Sequence, residues 1–512
     1  MKRVSFIDLG SNSVRFVITE IKDSGSYQLI YQQKESIRLS ENMWENNMLT
    51  PEAMDRAIVT LKAFSHMAEA MDSDEIIAVA TAAVRLANNG NEFIDLVKAQ
   101  TGIDLVCIDG LEEARLGFLG VVNTIGLDDF ILFDLGGASV EVTLVNNRAI
   151  VESVSLPMGA LTLTGEHQKG KEITEKELKG MLDTIQKHLK SQKWLKNQKL
   201  PLIGIGGTAR NLAKIDQRSH NYPVTKLHNY ELSFERLEAI YESVCSKSLA
   251  QRRKINGLSQ ERADIIVAGT AVIRELMLYT DSQIMIVSGC GLRDGLFYKY
   301  YGEHYLNPSG IIDDILTHSA ENILLGMNKI DLIHSKYIAK FSNVLFEQWA
   351  KEYEWPERMK ALLSVTALLH DIGKVVNYYS HVRHSAYIIA NSNLYGLSHR
   401  EQAICAVIAS YSHGINTKYM RNSPYIRLIT EEDKPIINQV SLLLALAEAI
   451  DESHEQSAVS VNTEFTAEDI IVNVWTKANH NMSMADVMIS KLSKQCKKDF
   501  NKNLIVKWHE SL

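Results

Sequence analysis

Short apolar runs parted by turn residues open this chain, and the period of the pattern changes twice along its length. Val4–Ile7, Arg15–Ile21 and Tyr27–Leu39 read as three strands, the last two separated by Asp23-Ser24-Gly25-Ser26. Thr50-Pro51-Glu52 predicts a helix to about Met71, with Thr50 as its cap and Pro51 at the first helical position. A strand at Ile76–Ala80 leads into Thr81-Ala82-Ala83-Val84-Arg85. The same order then returns in strands Phe130–Phe133, Val140–Val145 and Ala149–Leu156. Pro201-Leu202-Ile203-Gly204 runs into Gly206-Gly207-Thr208, a long apolar helix spans Ala263 to about Tyr279, and a strand at Gln283–Val287 ends at Ser288-Gly289-Cys290-Gly291. Past Asn307-Pro308-Ser309-Gly310, long helical runs such as Met359–Leu369 and Val440–Ile450 take over. Alternation returns from about Ser457 (Val459, Val461, Ile470, Val472, Val474), before a helix and a strand at Leu504–Trp508. The pattern describes an α/β region, an all-α region and a small α+β tail whose role it does not reveal.

One element of the repeat carries chemistry. Asp8-Leu9-Gly10-Ser11-Asn12-Ser13 follows the first strand, and Asp134-Leu135-Gly136-Gly137-Ala138-Ser139 follows the strand that opens the second half. Each places an Asp at a strand end, then a glycine turn, then small residues. Glycine lets backbone amides come close to an anion, and Ser or Asn adds donors without bulk. The Asp cannot bind phosphate itself, because like charges repel, but it can hold a divalent cation or a water that bridges to phosphate. Two matched loops therefore suggest a duplicated domain around a phosphate cleft. Gly206-Gly207-Thr208 sits at a strand-to-helix turn, where a helix N-terminus attracts anions; a tight turn with Thr208 as helix cap is the plainer reading. Glu112-Glu113-Ala114-Arg115 precedes the second loop, and Glu141 lies seven residues after Asp134. A bare Glu-Glu pair is most simply a solvated helix start. In a phosphate cleft it can instead orient a water for phosphoanhydride hydrolysis. Arg85, just past a strand end among small residues, suits a fixed phosphate contact.

Composition narrows the partners. With 512 residues the chain should form about three or four domains. A net charge of −8 and a pI near 6.1 argue against general nucleic-acid binding, so an anionic substrate must be held by local arginines, amides and metal. Cys107, Cys245, Cys290, Cys405 and Cys496 are scattered and read as reduced thiols. Neither a signal-peptide core nor an apolar run of membrane-spanning length is evident. A cytoplasmic protein without membrane or nucleic-acid partners is expected.

On these motifs, together with Glu261-Arg262-Ala263-Asp264 and Gly291-Leu292-Arg293-Asp294-Gly295, roughly residues 3–300 resemble the exopolyphosphatase / guanosine pentaphosphate phosphohydrolase family. The resemblance implies two ribonuclease-H-like, actin/sugar-kinase-like domains around a cleft, at 1–122 and 123–307. A helical domain at 311–456 and the tail at 457–512 would follow. It implies a Mg²⁺-dependent hydrolase acting on inorganic polyphosphate or guanosine pentaphosphate, and a homodimer. Glu112 would be the catalytic carboxylate, with Glu141 a second acidic group at the metal or water. Asp8, Asp134 and Glu141 would hold Mg²⁺. Ser11, Asn12, Ser13, Arg85, Gly136, Gly137, Ala138, Ser139, Gly207 and Thr208 would bind phosphate. Ala138 stands where the family usually has a third glycine, which would crowd the loop slightly. A phosphate-ligand sensor with little turnover is the alternative of a different class.

A second cluster lies in the helical region. His370-Asp371 closes an apolar helical run, in company with His334, His384, His399, His413 and Asp451. Imidazoles and carboxylates from several helices are a common way to hold a metal. His334, His370, Asp371 and Asp451 resemble the signature of the HD hydrolase superfamily in order and spacing. That implies an HD-like domain with a transition metal such as Mn²⁺ or Fe, and positions for a second metal at His384 and His413. A metal-free HD fold is the alternative. His399 is expected on the surface.

Overall fold

The first apolar run forms strand β1 (Lys2–Leu9), which pairs antiparallel with β2 (Ser13–Ile21) across the Gly10–Asn12 loop. A turn in which Gly25 adopts φ +81 brings in β3 (Tyr27–Ser36). Strands β4 (Glu75–Ala80) and β5 (Leu105–Cys107) add in parallel on the other side, giving the order β3-β2-β1-β4-β5. This computed structural model describes residues 1–41, 43, 46–170, 172–327, 331–411 and 423–511.

The second sheet repeats the plan. Strands β6 (Phe130–Leu135), β7 (Val140–Asn146), β8 (Ala149–Leu156), β9 (Leu202–Ile205), β10 (Tyr230–Ser233) and β11 (Ile284–Val287) lie in the order β10-β11-β9-β6-β7-β8. Read from β8, this is the first sheet's order with β10 added at the far edge. The predicted Thr50 cap is present, its hydroxyl accepting from Ala53 N at 3.2 Å. The long apolar helix runs Ile266–Thr280, after a short turn at Gln260–Arg262.

Three apolar cores organise this unit, Met1–Ile315. Helices Pro51–Ala70 and Gly90–Thr101 cover one face of the first sheet through Phe64, Phe93 and Val97. The second sheet has its own core with helices Glu175–Ser191 and Ile266–Thr280. Between the sheets lie helices Gly110–Val122 and Leu292–Tyr305. Their Leu116, Val121, Leu296 and Phe297 share one cluster with Phe6 of the first sheet and with Leu132 and Ile205 of the second. Small residues set their closeness: a Cβ at Gly120 would strike the Gly291 carbonyl, and one at Gly295 would overlap the Leu116 carbonyl.

The other unit, Leu316–Leu512, packs helices Leu332–Tyr353, Glu357–Leu369, His381–Asn391, His399–Ser410 and Asp433–Ile450 around Leu345, Trp349 and Leu443. Strands β12 (Ala458–Phe465), β13 (Asp469–Thr476) and β14 (Asn503–Glu510) form a sheet in which helix Ser483–Phe500 connects the parallel pair β13 and β14. The sheet belongs to the same core as the helices, and Trp349 Nε1 donates to Thr463 Oγ1 at 3.0 Å. Among the described residues, no helix is long and apolar enough to cross a membrane.

The close helix pair makes a direct prediction. Gly295→Ala should lower stability by about 1–3 kcal/mol through forced overpacking. Gly165→Ala is the control, since a Cβ there meets nothing within 4 Å. Thermal unfolding of both variants checks it; an unchanged transition for Gly295→Ala would mean that the helices can separate freely.

Candidate active site

The two predicted loops have the same backbone. Gly10 N donates to Ser13 O at 3.1 Å, and Gly136 N donates to Ser139 O at 3.0 Å. In each, the loop carbonyls are held from behind. Ser11 O accepts from Ser40 N, and Asn12 O accepts from Ile37 N and Arg38 N. Gly136, Gly137 and Ala138 carbonyls accept from the start of helix Ala160–His167, including Leu161 N to Gly137 O at 2.8 Å. Ala138 is not among the residues with positive φ, so its methyl imposes no backbone strain on the loop.

The loops face one another across a cavity of about 130 Å³ lined by Asp8, Gly10–Ser13, Asp134, Gly136–Ser139, Glu113 and Gly207. Pockets that enclose a whole small molecule are usually about 300 Å³ or more. This cavity therefore fits the end of a substrate.

Strand register places the charged groups. Asp8 sits opposite Arg15 on β1 and β2, while Asp134 sits opposite Glu141 on β6 and β7. Glu141 is buried, and its Oε1 accepts from Ser139 Oγ and Ser155 Oγ, both at 2.7 Å. Burial raises the Asp8 carboxyl above its ordinary value. It pushes Asp134 up to about 7, with Glu141 adding to the effect. Glu141 is also raised by burial, despite its two hydroxyl donors.

The acidic pair at the head of helix Gly110–Val122 divides. Glu113 lines the cleft, with Oε2 at 3.1 Å from Arg85 Nη1. Burial, then Glu141, push its carboxyl up to about 8 against the pull of Arg85. Glu112, the expected catalytic carboxylate, points elsewhere. It pairs with Lys299 at 2.8 Å and Arg115 at 3.3 Å and lines a separate cavity with Leu116, Leu296 and Tyr300. Each helical residue rotates by about 100° from the last, which here turns Glu113 to the cleft and Glu112 toward Lys299.

Two other expectations change. Arg85 is not among the residues lining the cleft; its Nη1 donates to Ile108 O at 2.8 Å and to Glu113 Oε2 at 3.1 Å, which makes it a support of that carboxylate. Thr208 is buried against Gly269 of the long helix and packs there. Its neighbours do line the cleft. Gly206 takes φ +97, and a Cβ there would stand 3.1 Å from Asp134 Oδ1. A Cβ at Gly207 would overlap the Arg262 guanidinium.

The arginines of the cleft went unread as site residues in the sequence. Arg15 and Arg262 line it, and Asp8 and Asp134 feel the charges of Arg15, Arg210 and, for Asp8, Arg293. Arg210 is lowered to about 10, chiefly by burial and then by Arg15. The signal for Arg15 was available: it lies seven residues after Asp8, as Glu141 does after Asp134.

In the C-terminal unit, His334, His370 and Asp371 do converge, but Asp451 stands behind His334, its Oδ2 accepting from Nδ1 at 2.9 Å. Glu448 takes the fourth place in the cluster. Burial opposes charge on His334, yet Asp451 and Glu448 outweigh it and push the imidazole up to about 9. His384 is outside this group, and His413 lies outside the described residues. His399, expected on the surface, is buried at the start of its helix, just after the capping Ser398.

Paired strand–loop–strand units around a cleft of buried carboxylates and arginines define a phosphohydrolase with the actin-like ATPase fold. The chain belongs to the Ppx/GppA phosphatase family, whose model matches residues 17–304; the model of that family's domain III matches residues 317–492. It is a phosphoanhydride hydrolase of the exopolyphosphatase or GppA type. An exopolyphosphatase from Cytophaga hutchinsonii is 26% identical with a TM-score of 0.56, over 60% of this chain and 100% of that one. A Ppx/GppA family member from Aquifex aeolicus is 27% identical with a TM-score of 0.53, over 59% of this chain and 99% of that one.

The Gly207–Arg262 contact is testable. A charge-assisted hydrogen bond is worth about 1.5–3 kcal/mol, so displacing the guanidinium with Gly207→Ala should raise KM for phosphate release by about tenfold or more. Steady-state kinetics beside Arg262→Ala checks this; an unchanged KM in both would remove Arg262 from substrate binding.

Proposed function

We propose that this chain removes terminal orthophosphate from linear inorganic polyphosphate, with Glu113 as the group that orients and deprotonates the attacking water. The observation that carries the reading is Glu113 itself, held by Arg85 and facing both phosphate loops in a cavity sized for a substrate end. Such a cavity admits the last phosphates of a chain and suits cleavage from the end. The similarity to an exopolyphosphatase supports polyphosphate as the substrate class. Guanosine pentaphosphate presents the same bond, and relative rates on the two at matched concentration test the choice.

Asp8, Asp134 and Glu141 would favour a divalent cation: burial raises all three carboxyls, Glu141 and Asp8 add to the rise at Asp134, and a cation beside them would offset both effects. Their all-oxygen character suits Mg²⁺, which would supply charge stabilisation at the phosphoryl oxygens. The protein's own groups do the rest. Amides of the two loops, with Arg15 and Arg262, bind and orient the terminal phosphate. The water oxygen attacks its phosphorus, one water proton passes to Glu113, and the shortened chain leaves with the bridging oxygen's electron pair. Arg85 holds Glu113 in place, and Ser139 with Ser155 fixes Glu141.

Glu113→Gln should reduce turnover about 10²–10⁴-fold, the range for a general base, with KM little changed. Glu112→Gln should stay near the native rate. The reverse pattern in phosphate-release assays would restore Glu112 to the role.

The pH profile offers an independent check. A carboxyl raised to about 8 becomes a base only as pH rises, so kcat/KM should climb through neutrality. A cation favours the ionised form, so more Mg²⁺ should move that limb to lower pH. A flat profile, or a limb moving to higher pH with Mg²⁺, would contradict the assignment.

A further inference from the structure

We propose that His334, His370, Asp371 and Glu448 form a site for one divalent first-row transition cation in the C-terminal unit, with Asp451 as a positioning residue. All four side chains are buried, at 1%, 0%, 5% and 4% exposure. One donor atom from each lies within 4.8 Å of every other.

The separations suit a common centre. A cation about 2.1 Å from each ligand holds its ligand atoms roughly 3 to 4 Å apart. His334 Nε2 is 3.9 Å from Asp371 Oδ2 and 3.7 Å from Glu448 Oε2, and His370 Nε2 is 3.7 Å from Asp371 Oδ2. A fourth edge, His370 Nε2 to Glu448 Oε2, is 2.5 Å, a direct contact that a cation would open.

Both imidazoles are set from behind. His334 Nδ1 meets Asp451 Oδ2 at 2.9 Å, and His370 Nδ1 meets Ala367 O at 2.7 Å. A ring that donates from Nδ1 presents the lone pair of Nε2, the arrangement by which carboxylates and carbonyls aim metal-bound histidines. Both Nε2 atoms and Glu448 Oε2 are buried, and apart from their short contacts with one another none makes a well-aligned hydrogen bond. Buried polar atoms normally find well-aligned partners, so three that converge with only poorly aligned contacts among themselves suit a shared cation. Asp451 is itself fixed by Gln456, whose backbone N donates to Oδ1 at 2.7 Å.

The donor set selects the ion. Two imidazoles and two carboxylates suit a transition cation, whereas Mg²⁺ prefers oxygen alone. The site thus differs in kind from the oxygen-only set of the cleft. Lys374, bonded to Asp371 Oδ2, places a positive charge at its edge. His454 stacks on the His334 ring at 3.8 Å.

Co²⁺ titration of the full chain, followed by visible absorption, tests the assignment. The native protein and an Asp134→Asn variant should each bind a stoichiometric equivalent with the spectrum of mixed nitrogen and oxygen ligation. The double variant His370→Ala, Glu448→Gln should lose that spectrum while still releasing phosphate from polyphosphate. Asp451→Asn removes no donor atom and keeps the test open if the double variant fails to fold; it should retain the spectrum and bind Co²⁺ about 10–100-fold more weakly. Absence of the spectrum in the native protein, or native affinity in either cluster variant, overturns the proposal and leaves a buried ion-pair network.

Discussion

The contact on which the active cleft depends is the close approach of helices Gly110–Val122 and Leu292–Tyr305. Gly120 faces the Gly291 backbone and Gly295 faces the Leu116 carbonyl, with no room for a Cβ at either point. Because the pair sits in the layer shared by both sheets, its spacing sets where the helix head points. That head is capped by Asp109, whose Oδ1 accepts from Glu112 N at 2.8 Å. One residue later Glu113 enters the cleft. Close packing transmits displacement rather than absorbing it, so any thickening of this layer would reach Glu113.

Duplication supplied the frame, and a charge difference at one position made it a site. The loops share their turn, and each Asp has a strand partner seven residues on: Arg15 in the first half, Glu141 in the second. Opposite charge beside Asp8 leaves a positive group for substrate. Like charge beside Asp134 adds to burial in holding its carboxyl above the ordinary range.

Much of this architecture was legible because it rests on local pattern. The apolar runs that flank the Asp loops are short but bounded by clear turn residues, and nearly all returned as strands at the expected positions. Strands β5 and β10 did not announce themselves. They have three and four residues, too few to carry a period, and are held by their neighbours in the sheet. The site was legible to the level of loops and less so for side-chain direction. Glu112 and Glu113 are equivalent in composition, and only the phase of the helix against its packing partner separates them. Thr208 and Asp451 failed for the same reason, each being the right residue type pointing at a different neighbour. Glu448 was hidden inside an apolar helical run, where its direction toward His334 and His370 depends on tertiary packing.

Function and stability pull in opposite directions at the cleft. An acid whose folded pKa exceeds its unfolded one binds extra protons in the folded state, so its ionisation as pH rises disfavours folding. Asp134, up to about 7, and Glu113, up to about 8, both have this sign. From the ordinary carboxylate range up to those values the protein loses stability progressively, and above them it carries the full cost of ionised acids in a dry group. The same burial that imposes the cost brings Glu113 near the pH at which a base is useful, and it strengthens every field acting on a bound phosphoryl group. The large shared core beneath these acids is what lets the fold tolerate that burden while the loops themselves stay short and small.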